Sequence, residues 1–191
     1  MILGLDGVPW QILNKWVEEG ILPNIGKLRD KSSTAGLRSS IQPLTAPAWS
    51  SFMTGKNPGQ HDIFDFVRAK PDSYQFTYSN TKQLRSKTFW ELLSDQGKRV
   101  CVVNVPCTYP VREVNGYWVS GLMTPTLASE FTHPKEFKNE VLDIMPEYHL
   151  NMETAYSSDD KAVRAYIADI EKMTADNTTL ALHLLKKETW D

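Results

Sequence analysis

Apolar and polar positions along this 191-residue chain switch between short continuous runs and helical spacing. Ile2-Leu3-Gly4-Leu5 is an apolar run closed by Asp6-Gly7, which reads as a buried parallel strand with a turn at its carboxyl end. Behind Pro9, which suits a first helical turn, Ile12, Leu13, Trp16 and Val17 recur at helical spacing up to a stop at Gly20. A second short helix is expected from Pro23-Asn24 with Ile25 and Leu28, and a second strand over 36–41. Residues 43–55 read as a loop that becomes a helix, with Pro47 in its first turn and Gly55 at its end. Asn57-Pro58-Gly59 marks a turn, and the alternation of Tyr74, Phe76 and Tyr78 makes 64–81 a surface hairpin or insertion.

The second half continues the alternation. Phe89-Trp90-Glu91-Leu92-Leu93 predicts a helix ended by Gly97, and Val100-Cys101-Val102-Val103-Asn104-Val105 a buried strand. Residues 117–122 suggest one more strand, and 134–144 a helix. From 159 to 188 neither Pro nor Gly interrupts a stripe of Val163, Tyr166, Ile167, Ile170, Met173, Leu180, Leu182 and Leu185, so one long helix is expected. Ser157, Ser158, Asp159 and Asp160 offer caps and first-turn negative charge for it. Helix followed by strand, repeated, predicts a doubly wound, mostly parallel α/β sheet with helices on both faces.

Composition narrows the classes without choosing one. A formal net charge of -2 gives no global electrostatic reason to bind nucleic acid or an anionic membrane. No apolar run approaches the roughly 18 residues of a transmembrane helix, and Met1 leads into Ile2 with no basic stretch of a secretory signal. Cys101 and Cys107 make neither a disulfide framework nor a zinc knuckle; both are expected to be buried or half-buried thiols in a reducing, cytoplasmic compartment.

The chemistry-bearing candidates are few. Asp6 is expected at the carboxyl end of a strand, where ligands of open α/β sheets bind, and reads either as a metal ligand or as the cap of the helix at Pro9. Thr45 stands at a predicted helix start, where backbone N–H groups and the helix dipole favour a phosphate. Its hydroxyl is either a nucleophile, activated by coordination, or a cap. His61 with Asp62 and Asp65 invites a metal reading, but the spacing is not a specific ligand pattern, and a surface turn around a hydrogen-bonded His is favoured. Asn104, at the expected end of its strand, is in a position to donate to a phosphate oxygen, or is a strand-end turn residue. His133, His149 and His183 show no grouping.

Four segments together resemble one family. Gly4-Leu5-Asp6-Gly7, Gly20-Ile21-Leu22-Pro23-Asn24-Ile25, Leu44-Thr45-Ala46-Pro47-Ala48-Trp49 and Thr54-Gly55-Lys56-Asn57-Pro58-Gly59-Gln60-His61 run in the order and spacing of the type I phosphodiesterase/nucleotide pyrophosphatase branch of the alkaline phosphatase superfamily. Residues 104–110, Asn-Val-Pro-Cys-Thr-Tyr-Pro, look like its cytoplasmic phosphohydrolase-like members. The resemblance is good over about the first 125 residues and weak beyond. It implies an alkaline phosphatase-like α/β fold binding two divalent metal ions, zinc or manganese. Asp6 matches a metal-binding Asp, and Thr45 the metal-bound residue that attacks phosphorus. Asn104 is matched to a phosphate-contacting Asn. His61 matches a motif His that is not a ligand, and Asp62 stands where the family commonly has Gly.

The mechanism so implied is a covalent phospho-threonine intermediate that water hydrolyses. The substrate would be a small-molecule phosphate ester or nucleotide, with no nucleic acid and no membrane as partner. A sulfatase reading fits less well, because sulfatases use a Cys or Ser at the position of Thr45. The family's remaining Asp and His ligands have no counterpart here. The chain is therefore expected to be an N-terminal part of the catalytic domain, inactive alone, with an insertion or cap around 126–188. A catalytically silent binding module is the alternative.

Overall fold

The structure is a computed structural model and describes residues 1–154 and 157–191. It divides into two compact units, 1–39 and 40–191.

The first unit is a pair of helices, α1 (Trp10–Glu18) and α2 (Pro23–Asp30). Both start at a proline, as the pattern predicts: Pro9 precedes α1 and Pro23 opens α2. Gly26 lets α2 lie close on α1, since a Cβ there would sit 3.1 Å from Val17 Cγ1. The two expected strands are not formed. Residues 1–5 and 36–40 carry no regular structure, and Leu3 and Leu37 are 80% and 92% exposed. The reason is pairing: a strand needs a neighbour for its N–H and C=O groups, and the described residues of this unit include no strand.

The second unit holds the sheet. β3 (Val100–Val105) and β4 (Gly116–Ser120) pair in parallel, and β5 (Thr132–His133) runs antiparallel to β4, in the order β3-β4-β5. A separate antiparallel hairpin, β1 (Val67–Ala69) and β2 (Phe76–Tyr78), lies where the aromatic alternation places it. The helices are α3 (Thr45–Thr54), α4 (Pro58–His61), α5 (Phe89–Asp95), α6 (Phe137–Ile144) and α7 (Asp160–Lys187). Side-chain caps close α5 and α7, the second at one of the residues expected to cap it. Thr88 and Glu91 form a capping box on α5, and Asp159 accepts from the Ala162 N–H at 3.0 Å on α7.

The strands' two-residue period sorts their side chains between two cores. Val100, Val102 and Trp118 belong to a cluster with Ala46 and Met53 of α3 and Trp90 of α5. Val119, flanked by Val103 and Tyr117, belongs to another with Phe137 and Val141 of α6 and Leu180 and Leu184 of α7. Helices therefore cover both faces of the sheet. Edge-to-face aromatic pairs run from Trp49 through Phe52, Phe89 and Trp90 to Trp118, tying α3 to α5 and α5 to the sheet. Complete burial of Trp118 and Val119 contributes about 2–3 kcal/mol each.

This is a mixed α/β arrangement rather than the expected mostly parallel one. The described sheet has three strands, no helix crosses over between β3 and β4, and β5 returns antiparallel. A two-residue strand such as β5 leaves no period for a sequence pattern to show. β3 is also less buried than an apolar run suggests, because it lies at the sheet's edge: Cys101 is exposed, whereas Cys107 is buried.

Candidate active site

Thr45 is the first residue of α3 and is half-buried. Leu44 is the N-cap, and no side chain caps the helix, so Thr45 is not a cap. The Ala48 N–H is the first to bond back, to the Leu44 carbonyl at 3.0 Å. Pro47 has no N–H, which leaves those of Thr45 and Ala46 as the free donors of the first turn. The Thr45 hydroxyl has no protein hydrogen-bond partner among the described residues. A hydroxyl and two N–H groups at a positive helix end are suited to an anion.

Asn104 lies within β3, not at its end. It is the extra residue of a bulge between Val103 and Val105, with φ +54. That left-handed conformation is one Asn tolerates better than most residues, and the bulge re-aims its side chain. Its carboxamide likewise has no protein partner among the described residues. Gly121, just past β4, is required by this bulge: a Cβ there would lie 2.6 Å from the Asn104 carbonyl. The loops after β3 and β4 are knitted together around it. The Cys107 N–H donates to Leu122 O at 2.9 Å, and the Thr108 hydroxyl donates to Val105 O at 2.6 Å and accepts from the Gly121 N–H at 3.2 Å.

Cys107 and Met123 also have positive φ, +60 and +80, so three non-glycine residues with unfavourable backbones gather at the carboxyl edge of the parallel pair. Strain of this kind is retained where surrounding contacts over-determine it. A pocket of about 310 Å³ opens at the same edge, lined by Tyr78, Asn80, Lys82, Tyr109, Met123 and Pro125 among others. Pattern reading missed Met123 because nothing in a Leu-Met-Thr-Pro run announces a left-handed residue. Thr45 and Asn104 are linked through packing, since their neighbours Ala46 and Val105 join the same hydrophobic cluster as Cys107 and Met123.

His61 is not on the surface. It is fully buried at the end of α4. The Ile63 N–H donates to its Nδ1 at 3.1 Å, so the ring proton is on Nε2, which donates to Ser51 Oγ at 3.0 Å. Ser51 and His61 therefore resemble a nucleophile–base pair in composition only: Nε2 has no lone pair to take the serine proton. Burial holds the His61 pKa below its ordinary value, which keeps the ring neutral. The residue clamps α3 to α4, and no metal role is left for it.

Asp62 follows with φ +69. The family's usual glycine suits that conformation, and Asp, a residue that tolerates it, occupies it here. Its carboxylate pairs with Arg68 at 2.6 Å and Arg85 at 3.2 Å. The Arg68 hydrogen bond, aided by the charges of both arginines, lowers its pKa.

Asp6 sits in a turn with Gly7 at φ +65 and is exposed. It does not cap α1, whose N-cap is Pro9 without a side-chain bond. Its carboxylate has no protein partner among the described residues. A protein metal site uses three or four ligands. Among the described residues no group of three His, Cys, Asp or Glu side chains is placed to hold one, so the donors present do not by themselves make a metal centre.

The family model described as type I phosphodiesterase / nucleotide pyrophosphatase matches residues 1–186. The chain belongs to this family. No curated protein and no solved structure matches it. The match covers the segments carrying Asp6, Thr45, His61 and Asn104 alike. The type I phosphodiesterase family hydrolyses phosphodiesters and nucleotide pyrophosphates, small phosphate-ester substrates. Among the described residues no helix is long and apolar enough to cross a membrane.

Proposed function

We propose that this type I phosphodiesterase family member cleaves phosphate esters through Thr45. The observation that carries the reading is the placement of Thr45: a hydroxyl without a protein partner at the first position of α3, beside two free backbone N–H groups. In the proposed step Thr45 Oγ attacks phosphorus and loses its proton, the bond from phosphorus to the leaving oxygen breaks, and that oxygen departs as alcohol or phosphate. Water then cleaves the threonine–phosphate bond and restores the hydroxyl. The N–H groups of Thr45 and Ala46 face the charge that develops on the non-bridging oxygens. Asn104, free at its bulge, is the proposed donor to a further phosphate oxygen.

Two divalent ions, zinc or manganese, belong to this reading, with Asp6 and Thr45 as two of their ligands. Asp6 suits the role as an exposed carboxylate with no protein partner. Further ligands are needed, and the described residues do not gather them. Residues 126–188 are proposed as an insertion or cap of the catalytic domain.

Because the described residues do not gather the further ligands, this chain alone is proposed to be inactive, and the test is hydrolysis of a chromogenic phosphodiester and a chromogenic monoester by a longer form that supplies those ligands and by its Thr45→Ala variant, each with zinc or manganese. Intact-mass spectrometry of quenched reactions reports any adduct. Turnover and a phosphoryl adduct in the wild type, both absent from a folded Thr45→Ala, are the expected result. Near-normal hydrolysis by Thr45→Ala would remove Thr45 from the mechanism. Absence of turnover in both proteins would favour a catalytically silent binding module.

A further inference from the structure

The carboxyl ends of three strands meet in one pocket, and none of its lining residues enters the step assigned to Thr45. Residues 77–80 close β2, Tyr109 and Pro110 follow β3, and Met123 and Pro125 follow β4; with Lys82 they line a volume of about 310 Å³. That is near the lower end of the roughly 300–1,000 Å³ of small-molecule sites, so the space suits a ligand of one or two rings.

Hydrogen bonds fix the walls from behind. Ser79 donates from its N–H to Phe66 O at 2.8 Å and from its hydroxyl to Asp65 O at 2.6 Å. Thr81, fully buried, donates from its N–H to Tyr109 O at 3.0 Å and from its hydroxyl to Pro110 O. The segment after β2 is thereby tied to the loop after β3. Asn151 holds the third wall: its Oδ1 accepts the Met123 N–H at 3.0 Å, and its Nδ2 donates to Thr124 O at 2.6 Å. Asn80 belongs to this frame as well, donating to Tyr78 O and accepting the Lys82 N–H, both at 3.0 Å. A cleft held in this way loses little freedom when a ligand enters.

The side chains in front of the frame are unpaired. The Tyr78 and Tyr109 hydroxyls and the Lys82 ammonium have no protein partner among the described residues, and neither tyrosine ring stacks there on another aromatic side chain. Among the described residues that line the pocket, Lys82 alone carries a formal charge. An ammonium unopposed by any carboxylate of the lining favours an anion. Two tyrosine rings with a thioether and a proline favour a flat ring.

We propose that this pocket binds a small aromatic anion, its ring against Tyr78, Tyr109 and Met123 and its one anionic group, phosphate or carboxylate, paired with Lys82. The proposal does not rest on the reaction assigned to Thr45, and its test measures no activity. Naphthylphosphonate, which has no ester bond to hydrolyse, is titrated into the chain without metal and followed by amide NMR shifts. Naphthoate tests the other anion, naphthalenemethanol the ring without charge, and methylphosphonate the charge without ring.

Saturating shifts are expected at 77–82, 109 and 123–125. The tighter-binding of the two aromatic anions should exceed naphthalenemethanol and methylphosphonate by about tenfold, the worth of one hydrogen bond to a charged group. A preference between phosphonate and carboxylate identifies the anionic group and upholds the proposal. Lys82→Gln should cost that anion about tenfold and leave naphthalenemethanol unchanged. Tyr109→Ala should weaken every ring-bearing probe. Lys82 is exposed, so the test stands even if Tyr109→Ala fails to fold. Naphthalenemethanol binding as tightly as the anions overturns the proposal, as does an affinity unmoved by Lys82→Gln. Shifts absent from the lining residues, or confined to the first turn of α3, overturn it too and leave the reading of Thr45 untouched.

Discussion

His61 and Asp62 are neighbours in sequence whose pH responses are set by different surroundings. Burial lowers the His61 pKa, so the folded state resists a proton that the unfolded chain accepts at the ordinary value of 6.5. The resulting stability is complete above that value and is lost as pH falls through it. His61→Asn keeps an acceptor for the Ile63 N–H and cannot titrate. Between pH 7.5 and pH 5.5 the urea midpoint should fall further for wild type than for His61→Asn. His61→Ala orphans the Ile63 N–H and opens a cavity, a cost of about 2–4 kcal/mol by chemical denaturation. Asp62 works through its two arginines. Its pKa lies below the ordinary 3.8, so the pairing contributes above that value and is lost as pH falls below it. A melting-temperature difference between wild type and Asp62→Asn should thus be present at pH 7 and vanish on strong acidification. The sequence shows the His-Asp pair plainly. It does not show that one is buried and neutral and the other ion-paired, because packing of α4 against α3 decides the first and the reach of Arg68 and Arg85 the second.

Elements with their own caps and periods are the legible part of this chain. α3 begins and ends where Pro47 and Gly55 place it, and α7 runs as one helix from Asp159 because an unbroken stripe and an N-cap specify it locally. α5 gives the sharpest test of such local coding. Glu91 accepts from the Thr88 N–H at 2.8 Å and from its hydroxyl at 2.7 Å, and it also meets Arg112 at 3.2 Å. Arg112 in turn donates to the Thr81 and Leu84 carbonyls. Thr88→Ala should cost about 1 kcal/mol as a lost cap. Glu91→Ala should cost more, roughly 2 kcal/mol, because it also leaves a part-buried guanidinium unpaired. Equal losses in the two variants would mean that the cap alone matters. Strands are less legible. Residues 2–5 and 100–105 are both short apolar runs, yet only the second has a partner to pair with.

The whole molecule places the strained carboxyl edge between two cores. Gly121→Ala would push a Cβ against the Asn104 carbonyl, so the bulge must shift or the parallel pair must part. A loss of more than about 2 kcal/mol is expected, with Asn104 and Met123 the first residues to change in NMR chemical shift. Trp118→Ala, at the meeting point of sheet and α5, should cost about 3–5 kcal/mol and expose the cluster that supports α3, read as a lower unfolding midpoint. The sequence by itself determined the helices other than α4, the hairpin and the family, because caps, periods and motif spacing are local and need no partner. Tertiary structure alone decided which apolar runs became strands, the mixed sheet, the bulge that turns Asn104 and the burial of His61. Each of these depends on what a segment packs or hydrogen-bonds against, and that information is spread over residues far apart in the chain.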